Sequence, residues 1–229
     1  MVYILDDEII GFPDPRECEP ERDGLFAIGG DLSFERLVVA YRNGIFPWFA
    51  FRGEDLDLPD IFYNEDGSPR IQWFCPMKRF VIFPDEIHIS HSMRQLIRKG
   101  EHKISIDRAF DDVIHNCSEL RIDQCGAWLG PQMIEAYTNL HREGVCHSVE
   151  VWNSKNELIG GLYGVMINRA FIGESMFSLE PSGSKLALIF LANYMRMHGG
   201  TMIDCQLETP HLRSMGGRYI SYDEYLKLV

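Results

Sequence analysis

The sequence has few of the features that mark membrane, secreted or metal-binding proteins. Its six cysteines are scattered and no two form a Cys-x-x-Cys pair, so neither a zinc site nor a disulfide framework is indicated. No apolar run reaches the length of a bilayer span, and the acidic first eleven residues are unlike a signal peptide. We therefore expect a cytoplasmic protein without a membrane segment.

Positive charge is also scarce. The chain has 22 basic residues against 34 acidic ones, which gives a formal net charge of −12. This balance argues against a protein that holds nucleic acid mainly through its phosphates. One local exception, residues 91–103, gathers four basic residues and two histidines. A solvated helix face followed by a loop explains this stretch somewhat better than a phosphate contact does.

The length and the distribution of turn residues suggest two domains. We expect residues 1–62 to form a small N-terminal domain with a trailing acidic loop, and residues 63–229 to form a larger one. In the first, Ser33 suits the N-cap of a helix over residues 33–43. In the second, strands and helices follow one another, which predicts an α+β or α/β fold.

Apolar runs and helical spacing locate the elements of the larger domain. The predicted strands cover residues 80–83, 147–152, 158–167, 169–174 and 202–206, and the predicted helices cover residues 92–99, 108–120, 131–141 and 184–198, with a last helix from about residue 221. Asp107 is expected to cap the second helix. Glycines in the strand at 158–167 (Gly160, Gly161 and Gly164) predict a bulge or a close backbone approach by a ligand.

Two strand ends carry acidic residues that suit chemistry better than packing. One segment contains Glu174, and the strand at 202–206 contains Asp204 and Gln206. The two-residue period of a strand puts Asp204 and Gln206 on one face and Cys205 on the other. Glu174 can reach them from a neighbouring strand. Two acids and an amide at strand ends suit proton handling on an acyl group, with Asp204 as a candidate general base.

Several motifs, in order along the chain, together resemble one family. They are residues 24–33 (GLFAIGGDLS), 40–49 (AYRNGIFPWF), 147–152 (HSVEVW), 160–164 (GGLYG), 171–177 (FIGESMF) and 204–206 (DCQ). From about residue 12 to the C-terminus the chain closely resembles bacterial leucyl/phenylalanyl-tRNA–protein transferase. The resemblance implies an α+β protein in which a small N-terminal domain packs on a domain with the fold of the GCN5-related acetyltransferases.

The resemblance also implies an activity. The family moves leucine or phenylalanine from aminoacyl-tRNA to a protein whose N-terminal residue is Arg or Lys, and the new N-terminus marks that protein for degradation. Members need no metal and no coenzyme. The expected partners are therefore leucyl- and phenylalanyl-tRNA and acceptor proteins that begin with Arg or Lys. By their place in the motifs, Asp204, Gln206 and Glu174 are the expected catalytic residues.

Other positions match the family's substrate-binding residues. Those that match the aminoacyl-adenosine site, where an aromatic ring can stack on a base, are Trp48, Trp128, Tyr41 and Tyr137. Those that match the pocket for the leucine or phenylalanine side chain are Leu162, Met176, Leu188 and Ile203. Ordinary core packing explains the two tyrosines, which lie on predicted helices, and the apolar residues equally well.

Two alternatives are other kinds of enzyme. A coenzyme-A-dependent N-acetyltransferase would carry a Gln/Arg-x-x-Gly-x-Gly/Ala loop before a helix, and none precedes the helix at residue 184. A cysteine hydrolase would pair Cys205 with His211, or Cys146 with His147. Adjacent strand residues point to opposite faces, so the second pair cannot meet and Cys205 points away from Asp204. A buried structural thiol explains Cys205 better.

The last alternative is not an enzyme. A binding module could hold peptides with an N-terminal Arg or Lys through Glu174 and Asp204. Such a module needs an acidic pocket, but it has no use for tryptophans that stack on adenosine. Trp48 and Trp128 in the same site would therefore favour the transferase.

Overall fold

The computed structural model of the chain describes residues 2–17, 24–48, 60–125 and 129–229. Contacts within the chain divide it into two units. The smaller unit comprises Met1–Met77 and Ser118–Ala136, and the larger unit comprises Lys78–Cys117 and Tyr137–Val229. Each unit has its own β-sheet. The domain boundary expected between residues 62 and 63 stays a prediction.

The smaller unit is built on a four-stranded sheet with the strand order β1-β2-β4-β3. Its strands are β1 (Tyr3–Leu5), β2 (Leu25–Gly29), β3 (Phe46–Trp48) and β4 (Gln72–Phe74). β1 and β2 run parallel, while β4 pairs antiparallel with both β2 and β3.

Helix α1 (Phe34–Arg42) lies between β2 and β3 in the chain and begins as its sequence predicts. Ser33 is the N-cap, and its hydroxyl accepts a hydrogen bond from the Arg36 N–H. The Arg36 guanidinium is fully buried and donates to the backbone carbonyls of Asp6 and Ile9. These bonds fasten the N-terminal segment to the helix.

The larger unit is built on a seven-stranded mixed sheet with the order β11-β5-β10-β9-β8-β7-β6. Its strands are β5 (Lys78–Ile82), β6 (Lys103–Ile106), β7 (Cys146–Trp152), β8 (Leu158–Ile167), β9 (Ala170–Ser178), β10 (Met202–Asp204) and β11 (Arg218–Ser221). β9 and β10 pair in parallel, and the other neighbours pair antiparallel. The short strand β10 therefore joins two antiparallel parts of the sheet.

Helices and short turns complete the chain. The helices are α2 (His91–Lys99), α3 (Phe110–Cys125), α4 (Pro131–Arg142), α5 (Gly183–Met197), α6 (Pro210–Ser214) and α7 (Tyr222–Tyr225), and the 3₁₀ turns are Pro15–Glu17, Asp60–Phe62 and Pro84–Glu86. No helix in the described part of the chain has both the length and the apolarity that a membrane crossing requires.

Helix α5 supplies much of the core of the larger unit. Its buried residues Leu186, Leu188 and Ala192 share an apolar cluster with side chains from the sheet. The helix can approach closely because Gly160 of β8 has no side chain, and a Cβ there would lie 2.6 Å from the Cα of Gly183. At Gly160, where a bulge or the approach of a ligand was predicted, the close neighbour is therefore a helix backbone.

Most predicted elements are confirmed, but three local predictions were wrong. The strand predicted over residues 169–174 continues to Ser178, so Glu174 lies inside β9 and not at a strand end. The strand predicted over residues 202–206 ends at Asp204, because Gln206 adopts a φ of 61° that no strand allows. Asp107 does not cap α3, since it has a φ of 56° and the helix begins later. Its carboxylate instead accepts the Ser148 N–H at 2.8 Å and lies 2.7 Å from Nδ1 of His147.

Candidate active site

Asp204 lies at the end of β10, in the middle of the larger sheet. It stands opposite Ile172 of β9 on one side and Val81 of β5 on the other. The residue is 0% exposed. A carboxylate in such a place must be paired with a cation or held by several donors.

Arg79 of β5 provides the cation. Its Nε lies 3.0 Å from both Asp204 oxygens, and its Nη2 lies 2.8 Å from Oδ2. Arg79 is itself only 1% exposed, and its guanidinium carbon lies 4.8 Å from the ring centroid of Tyr225 in α7. A guanidinium fork of this kind fixes a carboxylate in both position and orientation.

The turn after β10 brings Gln206 back to the same carboxylate. The backbone N–H of Gln206 donates to Asp204 Oδ1 at 2.8 Å. The left-handed conformation of Gln206, at φ 61°, costs a non-glycine residue about 1–2 kcal/mol. Asp204 and Gln206 therefore do lie together, but a tight turn joins them. The prediction that strand alternation places both side chains on one face was wrong.

Glu174 reaches Gln206 through a β-bulge. The register between β8 and β9 shifts between Tyr163 and Gly164, and the shift leaves Glu174 as an extra residue on β9. Bulges redirect a side chain and are frequent beside active sites. Here the Nε2 of Gln206 donates to Glu174 Oε1 at 3.3 Å. The bulge predicted from the glycines of β8 is confirmed at this point.

Tyr137 of α4 contacts the other oxygen of Glu174. Its hydroxyl donates to Oε2 at 2.7 Å, and its ring packs edge-on against Tyr163 with 5.4 Å between centroids. Tyr137 is buried, and Glu174 is 8% exposed. The sequence assigned Tyr137 to the aminoacyl-adenosine site, which stays a prediction. Its bond to Glu174 was not foreseen.

These contacts form one continuous chain of hydrogen bonds across the larger unit. We term it the acid–amide cluster, and its members are Arg79, Asp204, Gln206, Glu174 and Tyr137. The cluster brings the predicted catalytic residues together. Asp204 is enclosed by Arg79 and the Gln206 backbone, whereas Glu174 is held by two neutral donors and has some exposure. An amide and a carboxylate placed side by side can orient an amine and exchange its proton.

The predicted pocket residues also lie together in the larger unit. Leu162, Leu188 and Ile203 are buried in one apolar cluster, and Met176 packs against it while keeping partial exposure. Their assembly suits an apolar pocket and a hydrophobic core equally well. Their role in binding leucine or phenylalanine stays a prediction.

The other predicted aromatic residues belong to the smaller unit. Tyr41 is fully buried on α1, and Trp48 is partly buried at the end of β3, with its ring centroid 5.5 Å from that of Phe74. Trp128 lies outside the described residues. The expected stacking of these rings on adenosine stays a prediction.

The thiols of Cys205 and Cys146 lack the properties of a nucleophile. Burial, and then the charge of Asp204, raises the pKa of the Cys205 thiol far above its usual value, and burial does the same to Cys146. Burial also lowers the pKa of His211. Because a catalytic cysteine needs a lowered pKa, neither hydrolase pair is supported. Among the described residues, no three His, Cys, Asp or Glu side chains are grouped to hold a metal ion.

Sequence reasoning missed Arg79 and Tyr225. Arg79 precedes a predicted apolar strand, and nothing in the local spacing separates a buried arginine from a solvated one. Its acidic partner is 125 residues away in the chain. The available signal was weak: an arginine that begins a fully buried strand needs an acid from elsewhere in the fold.

The fold defines a class of protein before any closer comparison. With a seven-stranded mixed sheet in one unit and a four-stranded sheet in the other, this is an α+β protein, and its fold is like that of the GCN5-related acetyltransferases, as predicted. Among solved structures, that of FemX is similar, with a TM-score of 0.50 and 9% identity, and the match covers 82% of this chain and 66% of that one. This likeness concerns the fold alone.

The sequence comparisons are more specific. A model of the family "Leucyl/phenylalanyl-tRNA protein transferase" matches residues 81–229, and a model of that family's N-terminal domain matches residues 30–57. This chain belongs to the leucyl/phenylalanyl-tRNA–protein transferase family. Its activity is therefore that of an aminoacyl-tRNA–protein transferase, with leucyl- or phenylalanyl-tRNA as the donor.

Curated relatives of that name are similar over nearly their whole length. The protein from Nitrosomonas eutropha is 45% identical over 95% of this chain and 86% of its own. The one from Syntrophus aciditrophicus is 48% identical over 90% and 80%, and the one from Syntrophobacter fumaroxidans is 44% identical over 100% and 89%. The predicted enzyme class is confirmed, so the N-acetyltransferase and the non-catalytic binding module are set aside.

Proposed function

We propose that the acid–amide cluster joins leucine or phenylalanine directly to the α-amine of proteins that begin with Arg or Lys. The observation that carries this proposal is the Glu174 carboxylate, held between the Gln206 amide and the Tyr137 hydroxyl and 8% exposed. A sheltered anion of this kind suits a cationic acceptor group. In this proposal the enzyme works in the cytoplasm and its products are marked for degradation.

The reaction does not require a covalent intermediate with the enzyme. The ester of aminoacyl-tRNA is already activated, and a free α-amine titrates at about 7.7–8.0, so a useful fraction is neutral near pH 7. The amine nitrogen bonds to the ester carbonyl carbon and creates a tetrahedral oxyanion. When this intermediate collapses, the bond to the ribose oxygen breaks and that oxygen takes up a proton. Positioning, proton transfer and support of the oxyanion are what remain for the enzyme.

In this proposal the members of the acid–amide cluster divide these tasks. Glu174 holds the acceptor as an α-ammonium group until one proton leaves to solvent and the neutral amine forms. As the amine nitrogen bonds to the ester carbonyl carbon, Glu174 takes a further proton from that nitrogen and then passes it to the departing ribose oxygen. The Gln206 amide has two N–H groups, so one can hold Glu174 while the other meets a substrate oxygen. Both oxygens of Asp204 already accept hydrogen bonds, from Arg79 and from the Gln206 backbone. Asp204 therefore acts through Gln206, as a positioning residue, and does not take the proton directly.

The aminoacyl side chain enters the apolar cluster beside these residues in the proposal. Met176 is its partly exposed member, and a flexible thioether can adapt to a branched or an aromatic side chain. Leu162, Leu188 and Ile203 form the deeper part. An apolar pocket separates substrates by only about 1–3 kcal/mol per methylene, which fits an enzyme that accepts both leucine and phenylalanine.

The test is a transfer assay with purified protein and radiolabelled leucyl-tRNA. Peptides that begin with Arg or Lys should gain the label, whereas the same peptides beginning with Ala or carrying an N-acetyl group should not. Glu174→Gln should lower kcat by about 10²–10³-fold, since general acid–base groups contribute factors of this size. Glu143→Gln, an exposed residue after α4, is the matched control and should keep the wild-type rate.

Two results would contradict the proposal separately. Equal labelling of the Ala peptide would refute the acceptor preference. A folded Glu174→Gln variant with the wild-type kcat would refute the assignment of the site.

A further inference from the structure

A buried ion pair joins Asp204, which the proposed function already makes a positioning residue, to Arg79, which has no assigned part in the reaction. It lies where β5 and β10 pair, inside the sheet, and both residues are at most 1% exposed. Buried ion pairs contribute little net stability, because well-packed apolar residues can replace them at no loss. The position of this pair therefore calls for a second explanation.

Each bond of the pair fixes the next contact toward Glu174. Arg79 Nε lies 3.0 Å from both Asp204 oxygens, so the plane of the carboxylate cannot turn freely. The fixed Oδ1 accepts the backbone N–H of Gln206 at 2.8 Å and holds that residue in its left-handed turn. The conformation of this turn fixes the position of the Gln206 Cβ and hence the direction of its side chain. The side-chain Nε2 then donates to Glu174 Oε1 at 3.3 Å.

We infer that Arg79 is a positioning residue of the transfer reaction: by fixing Asp204 it sets the Gln206 amide against Glu174. The inference rests on the proposed function of the acid–amide cluster. Tyr225 belongs to the same device, since its ring lies under the guanidinium and is itself buried. The last helix, α7, thus contributes to the site through Tyr225.

Fixing the orientation of Asp204 requires the planar set of N–H donors of an arginine and not only a positive charge. An arginine presents several N–H groups in one plane, whereas a lysine ammonium is a point charge on a flexible stem. Arg79→Lys therefore keeps the buried charge balance but releases the orientation of Asp204. If the ion pair had only a structural role, a folded Arg79→Lys variant would keep the wild-type kcat.

The experiment measures kcat and KM for leucyl-tRNA and an Arg-initiated peptide in the full-length wild type and in Arg79→Lys, Gln206→Ala and the double variant. Arg79→Lys should lower kcat at least tenfold and change either KM by less than threefold. In the Gln206→Ala background the same change should lower kcat by less than threefold, because its route to the reaction is already lost. Arg218→Lys, which alters an exposed arginine fork on the neighbouring strand, is the control and should keep the wild-type kcat.

A second variant covers a failure of Arg79→Lys to fold. Arg79→Met combined with Asp204→Asn removes both charges, so no buried charge is left alone. Its midpoint of thermal unfolding should lie near that of the wild type while kcat stays at least tenfold low. Recovery of both stability and kcat would overturn the inference, and so would a folded Arg79→Lys enzyme with the wild-type kcat.

The same assay separates this inference from the proposed function. If the wild type fails to label any peptide, the proposed function fails and the inference falls with it. If the wild type labels the Arg peptide and the Arg79 variants do so equally fast, only the inference fails.

Discussion

At the scale of single residues, Gln206 in the turn after β10 has a strained backbone and, in the proposed function, a side-chain amide that the reaction needs. Gln206 holds a φ of 61°, where glycine is at ease and other residues are strained. We predict that Gln206→Gly is more stable than Gln206→Ala by about 1 kcal/mol, because only glycine relieves the strain. Both variants lose the amide, so both should be equally slow in transfer. Thermal unfolding and kcat of the two variants check this prediction.

Gln95 offers the control for that comparison. It is exposed on α2, where the backbone is helical. There Gln95→Ala should be the more stable variant, by about 1 kcal/mol over Gln95→Gly, since glycine weakens a helix. The same order of stability at both positions would contradict the strained turn.

A second residue-scale prediction concerns the pair of Asp107 and His147. The hydrogen bond to Asp107 raises the pKa of His147 above its usual 6.5, although burial opposes the rise. A raised histidine pKa means that the pair stabilises fully below pH 6.5 and that its contribution is lost as the pH rises through the folded value. His147→Gln should therefore cost about 0.2–1 kcal/mol at pH 5.5 and less at pH 8.5. Thermal unfolding at the two pH values measures this difference.

At still lower pH, protonation of the Asp107 carboxylate limits the stability that the pair contributes. Burial pushes the pKa of Asp107 up, but the bonds from His147 and from the Ser148 N–H outweigh it and hold the pKa below 3.8. The stabilisation should therefore persist to about pH 4 and fade as the pH falls further. His88→Gln, which alters an exposed histidine outside the pair, should show the same cost at every pH. A cost for His147→Gln that grows toward pH 8.5 would refute the assignment.

The sequence predicts the site at this scale only in part. Asp204 and Gln206 are two residues apart, so any local conformation keeps them close, and even a wrong strand assignment pairs them correctly. Glu174 could be assigned to the site because the sequence predicts the strand that contains it. Arg79 was not, since a contact across 125 residues depends on which strands become neighbours, and local spacing carries no such information.

At the scale of elements, the junction of β8 and α5 limits what the core can accept. A Cβ at Gly160 would lie 2.6 Å from the Cα of Gly183, and this neighbour is backbone, which cannot move aside cheaply. We predict that Gly160→Ala destabilises the protein by about 1–3 kcal/mol through overpacking. The shift of the urea midpoint measures it.

Gly11→Ala serves as the control for this change. A Cβ at Gly11 would have no atom within 4 Å, so this variant should unfold at the wild-type urea concentration. If Gly160→Ala also unfolds there, the close approach of α5 to β8 is not a constraint.

Periodicity predicts elements better than it predicts their arrangement. The strand over residues 158–167 was predicted with its observed bounds, because its apolar run ends at turn residues on both sides. β10 was predicted too long, since the carboxylate of Asp204 captures the Gln206 N–H and closes a turn that apolar spacing cannot reveal. The placement of β10 between β9 and β5 is likewise a property of the whole sheet and has no local signal.

At the scale of the whole molecule, the charge conflicts with the donor substrate. The chain carries a net charge of −12, yet its donor is a polyanion. This balance argues against an affinity that comes mainly from phosphate contacts. The net negative charge of the protein does not weaken stacking of the terminal adenosine on aromatic rings, which is worth about 1–3 kcal/mol per base.

This balance leads to a prediction about salt. Residues 91–103 hold four basic side chains, and if all of them met phosphates of the donor, the affinity would fall with a slope of about −3 in log–log form, taking about 0.7 per contact. We predict that log(kcat/KM) for leucyl-tRNA changes with log[KCl] between 50 and 300 mM, concentrations chosen so that the ionic strength rises about sixfold, with a slope no steeper than about −3. The control is kcat/KM for the Arg peptide at saturating tRNA, which should depend on salt more weakly because the peptide carries few charges. A slope near −6 for the tRNA would mean that many more phosphates are bound than this acidic chain can account for, and recognition through base stacking would then be the wrong explanation.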